Sequence, residues 1–172
     1  AIDAARVAKR LGAQEMTVVY RRSEREMPAY AEEVDGAKKE EIRFSFLTAP
    51  VKILEKQGKV HGFECIRTEL EPPDTSGRRR PVPVAGSEFV IPCDAVIPAI
   101  GQKIHAPWAN REPDLNWSVR NTLKVNPQTM QTSIPHVFAG GDAITGPATV
   151  IEAVAAGHKA VEAMHRFING ED

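Results

Sequence analysis

Residues 136–142 read His-Val-Phe-Ala-Gly-Gly-Asp, and residues 146–157 read Gly-Pro-Ala-Thr-Val-Ile-Glu-Ala-Val-Ala-Ala-Gly. A short apolar run enters a pair of glycines and an aspartate, and a helix rich in small residues opens a few positions later. Glycine lets a backbone approach a ligand closely, and a helix N-terminus offers unpaired N–H groups to an acceptor atom. An aspartate at a strand end can accept hydrogen bonds from a polyol. Gly141, Asp142, Thr149 and Val150 together suit a flavin nucleotide. Asp142 would take the ribityl chain, and the helix start at Thr149 and Val150 would face the pyrimidine edge of the ring. The bland alternative is a tight turn with a capping aspartate. Gly141 and Gly146 also match the glycine spacing of a triphosphate loop, but Pro147 and Ala148 stand where Lys and Ser or Thr are required. That excludes a nucleotide triphosphatase.

Arg21 and Arg22 come next in weight. They follow directly on an apolar run at 16–20 that reads as a buried parallel strand. At the end of the second strand of a dinucleotide fold, an acidic residue binds the adenosine ribose hydroxyls and favours NAD. An arginine there accommodates the 2′-phosphate of NADP instead. A guanidinium grips phosphate oxygens through parallel, charge-assisted hydrogen bonds. Arg25 extends the set. On residue types alone, a solvated basic turn is the competing reading.

These segments resemble a known family. Residues 136–157 are similar to the closing FAD motif of flavoproteins that carry two dinucleotide-binding domains. Residues 1–13 look like the helix that follows the NADPH glycine loop in one branch of that class, and the Tyr20-Arg21-Arg22-Ser23 run continues the match. The branch is that of the small (beta) subunit of NADPH-dependent glutamate synthase and its relatives. The resemblance implies that Ala99, Ile100 and Gly101 form the turn near the nicotinamide end of NADPH where the chain leaves the NADPH domain; a plain strand-exit turn is the alternative. It further implies NADPH and FAD as cofactors, with iron–sulfur clusters outside these residues. The partners it implies are an N-terminal FAD-binding half and a larger catalytic subunit.

Bulk properties are those of an ordinary globular domain. The 172 residues are 42% hydrophobic with a formal net charge of −1, so no general attraction to nucleic acid or to acidic membranes is expected. No apolar run approaches the roughly 20 residues that cross a bilayer. Cys65 and Cys93 form no Cys-x-x-Cys pair, and read as reduced thiols of a cytoplasmic protein. The histidines form no constellation with a serine or cysteine, and His158 and His165 do not define a metal site. Arg78-Arg79-Arg80 reads as a solvated loop tip.

The expected architecture is α/β: a Rossmann-like parallel sheet lacking its first strand and glycine loop, an antiparallel β insert, and a long C-terminal helix. Helices are expected at 1–12, 28–41 and 147–168, Gly36 weakening the second. Strands are expected at 16–20, at the alternating Ile42, Phe44 and Phe46, at 51–54, 60–69 and 89–92, and at 123–125 and 137–139. Residues 72–86 read as a loop or long hairpin tip, and 94–102 as a return to the parallel sheet despite Pro98. Val150, Val154, Ala155, Val161, Met164 and Phe167 should face the sheet. Residues 1–103 would be a partial NADPH-binding domain with the insert at about 42–92, and residues 104–172 the closing segment of the FAD domain. The chain reads as the C-terminal part of a longer polypeptide, and the strand at 137–140 is a candidate to fill the gap in the sheet.

The functional expectation is hydride transfer from NADPH to FAD, with electrons passing on toward iron–sulfur centres. No acid–base set is needed, because the cofactors carry that chemistry; no catalytic side chain is therefore assigned. The alternative is a nucleotide-binding or docking module without redox turnover, and the isolated residues are expected to be inactive.

Overall fold

The computed structural model describes residues 1–102, 104–108 and 112–171. The chain divides into two compact units, Ala1–Ile100 and Gly101–Asp172.

The first unit opens with helix α1 (Ile2–Arg10), which has Asp3 in its first turn and Lys9 and Arg10 in its last, a charge order that suits the helix dipole. Strand β1 (Thr17–Val19) pairs in parallel with β2 (Arg43–Ser45), Val18 opposite Phe44. Helix α2 (Ala31–Lys39) joins them. Ile2, Ala5, Val18, Val34, Ala37 and Ile42 form the shared apolar core. The expected helix at 28–41 is shorter than its pattern: Tyr30 is extended at its N-cap and Glu40 caps its end. Gly36 has a use there. A Cβ at that position would lie 3.3 Å from the Arg6 guanidinium carbon. The bare glycine lets Arg6 cross α2 and reach Glu40, which accepts from Arg6 at 2.8 Å and from Arg10 at 2.6 Å. Held between two guanidinium groups, the Glu40 carboxyl falls to about 2.

The antiparallel sheet runs β3 (Thr48–Lys56), β4 (Lys59–Pro73), β5 (Arg79–Ile91), in that spatial order. The hairpin turn at Gln57 and Gly58 has φ of 55° and 74°, the left-handed pair that tight hairpins use. Several expectations are corrected here. The insert begins at Thr48 and not at residue 42, since Ile42 is buried in the parallel core and Arg43–Ser45 belongs to that sheet. Residues 72–86 are mostly strand: β4 runs to Pro73 and β5 starts at Arg79. Asp74 closes the turn by accepting from the Ser76 and Arg78 N–H groups. Pro81 and Pro83 are tolerated because β5 is an edge strand paired only with β4. Residues 94–102 form no strand. Among the described residues the parallel sheet holds β1 and β2, with no strand from this run, and Ile100 is 91% exposed.

In the second unit, the strands expected at 123–125 and 137–139 reduce to isolated bridges, Trp117 with Leu123 and Gln131 with Phe138. Within the chain, residues 137–139 make their backbone bonds inside their own unit. Their backbone groups bond to Met130, Thr132 and Ile134, and β1 pairs with β2. A short helix α3 (Asp142–Thr145) precedes the long α4 (Val150–Asn169), so Pro147 and Ala148 stand outside the helix. The face expected to be buried is corrected in part: Met164 is partly covered and Phe167 packs on Phe138, but Ala155 and the valines are not covered. Val150, Val154 and Val161 are exposed, whereas Ala153, Ala156, Ala160 and Ala163 are wholly or partly covered. The glycine turn comes too close to α4 for branched side chains. Phe138 meets Phe167 edge to face at 5.6 Å.

Candidate functional site

The first constellation is the loop leaving β1. Arg21 and Arg25 are exposed and Arg22 is half-buried. The Arg22 guanidinium stands 5.9 Å from the centre of the Tyr20 ring, and its Nε is buried with no partner among the described residues. A buried donor without an acceptor costs free energy unless a ligand supplies one. The loop is tied at many points. The Tyr20 hydroxyl donates to the Glu26 carbonyl at 2.9 Å, and the Ser23 N–H donates to the Glu26 carboxylate at 3.2 Å. A capping box at Ser23 and Glu26 opens the 3-10 turn, and the Ser23 hydroxyl also donates to that carboxylate, holding the Glu26 carboxyl below its usual range. The Thr68 hydroxyl donates to the Arg21 carbonyl at 2.8 Å from within the insert.

The second constellation is the glycine turn and the start of α4. Gly141 has φ 60° and ψ −147°, a conformation open only to glycine. Its absent Cβ would touch Ala153, and that of Gly140 would press on Ala156. Asp142 is exposed, and its carboxylate takes no hydrogen bond from the described residues. Thr149 caps α4 in a box with Glu152: Thr149 N–H donates to the Glu152 carboxylate at 2.9 Å, and Glu152 N–H donates to the Thr149 hydroxyl at 3.3 Å. Ala153 N–H donates to the Thr149 carbonyl. The N–H groups of Val150 and Ile151 have no acceptor among the described residues, and both side chains are exposed. This is an open helix N-terminus with an aspartate nearby in sequence, suited to a neutral or anionic acceptor edge.

Arg21, Arg22 and Arg25 thus share one short loop, and Gly141, Asp142, Thr149 and Val150 share one turn–helix unit. Ala99, Ile100 and Gly101 lie in an exposed stretch, with Gly101 at φ 97°. Sequence reasoning missed Tyr20, Glu26 and Thr68. The Ser23-x-x-Glu26 spacing is a readable capping signal. Nothing local marks Thr68, which lies 47 positions from the residue it holds. Cys65 is buried and Cys93 partly so; both are free, and burial pushes both thiols up. Among the described residues, no group of His, Cys, Asp and Glu is placed to hold a metal ion, and no helix is long and apolar enough to cross a membrane.

Residues 1–157 match the pyridine nucleotide-disulphide oxidoreductase family, and the chain belongs to it. Within that family it is 45% identical to the NADP(+)-dependent formate dehydrogenase subunit beta of Moorella thermoacetica, over 98% of this chain and 24% of that protein. It is 42% identical to the NADPH-Fe(3+) oxidoreductase subunit beta of Geobacter sulfurreducens, over 98% of this chain and 28% of that protein. Identity to the glutamate synthase [NADPH] small chain of Escherichia coli is 36%, over 98% and 36%. The chain therefore spans about a quarter to a third of these relatives. Among solved structures, the thioredoxin reductase of Lactococcus lactis aligns with TM-score 0.77 at 19% identity, over 99% of this chain and 50% of that one. That of T. acidophilum aligns with TM-score 0.73 at 21% identity, over 99% and 49%. These likenesses show the α/β fold alone.

Proposed function

We propose that this chain forms the NADP(H)-selecting part, residues 1–103, and the closing FAD-binding segment, residues 104–172, of a longer flavin oxidoreductase. The observation that carries this reading is the buried, unpartnered Nε of Arg22 in the loop at the carboxyl end of a parallel strand. That is where a dinucleotide fold receives the adenosine ribose. Arg21, Arg22 and Arg25 supply the donors for a 2′-phosphate. The names of the relatives above, each carrying NADP(+) or NADPH, support the same preference.

In the second unit the residues fit a flavin. Asp142 offers an acceptor for the ribityl hydroxyls, Gly141 keeps the turn free of a side chain, and the open N–H groups of Val150 and Ile151 meet the pyrimidine edge. The Ala99-Ile100-Gly101 turn lies by the nicotinamide. A bound flavin would accept a hydride from NADPH and give it up as two electrons and a proton, the electrons going toward iron–sulfur centres outside this chain. The protein's part is position and electrostatics. The residues alone contain no Gly-x-Gly-x-x loop, and by themselves are expected to turn over no NADPH.

Replacing both Arg21 and Arg22 by alanine in the full-length polypeptide tests the reading. Loss of two charge-assisted phosphate contacts should erase about a hundredfold of the preference for NADPH over NADH. An unchanged preference would remove the assignment.

A further inference from the structure

Thr68 sits on β4, is 4% exposed, and lies far in sequence from the loop it touches. Its hydroxyl donates to the carbonyl oxygen of Arg21 at 2.8 Å, and its own N–H donates to the carbonyl of Leu47 at 2.8 Å. Leu47 N–H in turn donates to the carbonyl of Arg22 at 3.0 Å. Leu47 holds φ at 49°, a left-handed conformation that a leucine adopts only when its surroundings impose it.

The Arg21 carbonyl belongs to the peptide plane before the Arg22 Cα, and the Arg22 carbonyl to the plane after it. A peptide plane is rigid, so fixing both planes fixes φ and ψ of Arg22. The direction of its Cα–Cβ bond follows. Ser23 N–H, in the second plane, is held again by the Glu26 carboxylate. The side chain then leaves the backbone in one direction, over the Tyr20 ring.

We infer that Thr68 is a positioning residue for nucleotide selection: from the β insert it locks the peptide planes flanking Arg22 and so aims the guanidinium at the 2′-phosphate of NADP(H). The inference rests on the phosphate role proposed above for Arg22. It also gives the insert a purpose, because the hydroxyl that sets the loop lies on β4 and not in the parallel sheet. A threonine suits the place: its methyl group fills the buried site while the hydroxyl does the holding.

The test uses the full-length polypeptide and two probes bound at equilibrium, 2′,5′-ADP and 5′-AMP, which differ by the 2′-phosphate alone. Thr68→Val keeps shape and strand preference and removes the donor. It should weaken 2′,5′-ADP roughly tenfold, the scale of one buried hydrogen bond left unmade, and leave 5′-AMP within about twofold. Thr68→Ser should restore 2′,5′-ADP binding. Thr68→Ala should show the same split as valine, and serves if the valine protein does not fold. Equal weakening of both probes, or of neither, overturns the inference. Arg22→Ala separates the layers. If it leaves 2′,5′-ADP unaffected, the phosphate assignment itself fails; if it weakens 2′,5′-ADP while Thr68→Val does not, only the positioning role fails.

Discussion

A Cβ placed on Gly140 would stand 3.1 Å from the carbonyl oxygen of Ala156, on the packed face of α4. The turn and the helix are thus in backbone-to-backbone approach. The small residues of 153–163 are what make it possible, not a weakness of the helix. Gly140→Ala should cost about 1–3 kcal/mol, the usual range for overpacking against atoms that cannot retreat. Thermal unfolding of the variant measures it; a melting temperature equal to that of the parent would show that α4 can give way.

Thr149→Ala removes the hydroxyl that accepts from Glu152 N–H and donates to the Glu152 carboxylate. Loss of an N-cap threonine costs about 0.5–2 kcal/mol. The end that frays is the one assigned to the flavin. Thr149→Ala should therefore lose flavin faster on dialysis than Thr149→Ser, which keeps the hydroxyl. Equal retention by the two would detach the cap from cofactor binding.

The ion-paired Glu40 gives a pH signature. Its carboxyl falls from an ordinary 4.5 to about 2 in the folded chain, chiefly through the Arg6 and Arg10 hydrogen bonds. A depressed folded value means the stabilisation is fully present above the unfolded value. It is lost as pH falls from about 4.5 through about 2. Glu40→Gln should melt below the parent at pH 7, with the gap closing over that window. A gap that stays constant down to the lower limit would show that the pair contributes nothing through its charge.

Nucleotide preference should divide unevenly among the arginines. Arg22 has a buried Nε and an aromatic neighbour, whereas Arg25 is exposed. Arg22→Lys keeps the charge but loses the planar fork, and should lower the NADPH preference about tenfold. Arg25→Lys should change it by less than about twofold. Steady-state comparison of NADPH with NADH reads both. A larger effect at Arg25 would move the phosphate to the outer side of the loop.

The sequence made some of this legible and hid the rest for physical reasons. The Gln57-Gly58 hairpin, the parallel strand at Thr17–Val19 and the Thr149 helix start are local signals, and each stands where its residues place it. Ile42 and Phe44 alternate like an antiparallel strand, yet Arg43–Ser45 pairs in parallel with β1 and Ile42 lies in the core just before it, because alternation shows a strand and not its partner. Prolines 81 and 83 looked like loop and are edge strand, since only one side of β5 is paired. The valines of α4 looked like its buried face, but the glycine turn selects the alanines. Thr68 carries no local mark at all; its meaning depends on a fold that brings β4 to Arg21.

The most direct measurement is an anaerobic absorbance titration of the full-length polypeptide, NADPH against NADH. The account predicts a flavin band that NADPH bleaches at a concentration about a hundredfold below that needed with NADH, the scale of a well-made phosphate site. A colourless protein, or a flavin reduced equally by both nucleotides, would contradict it.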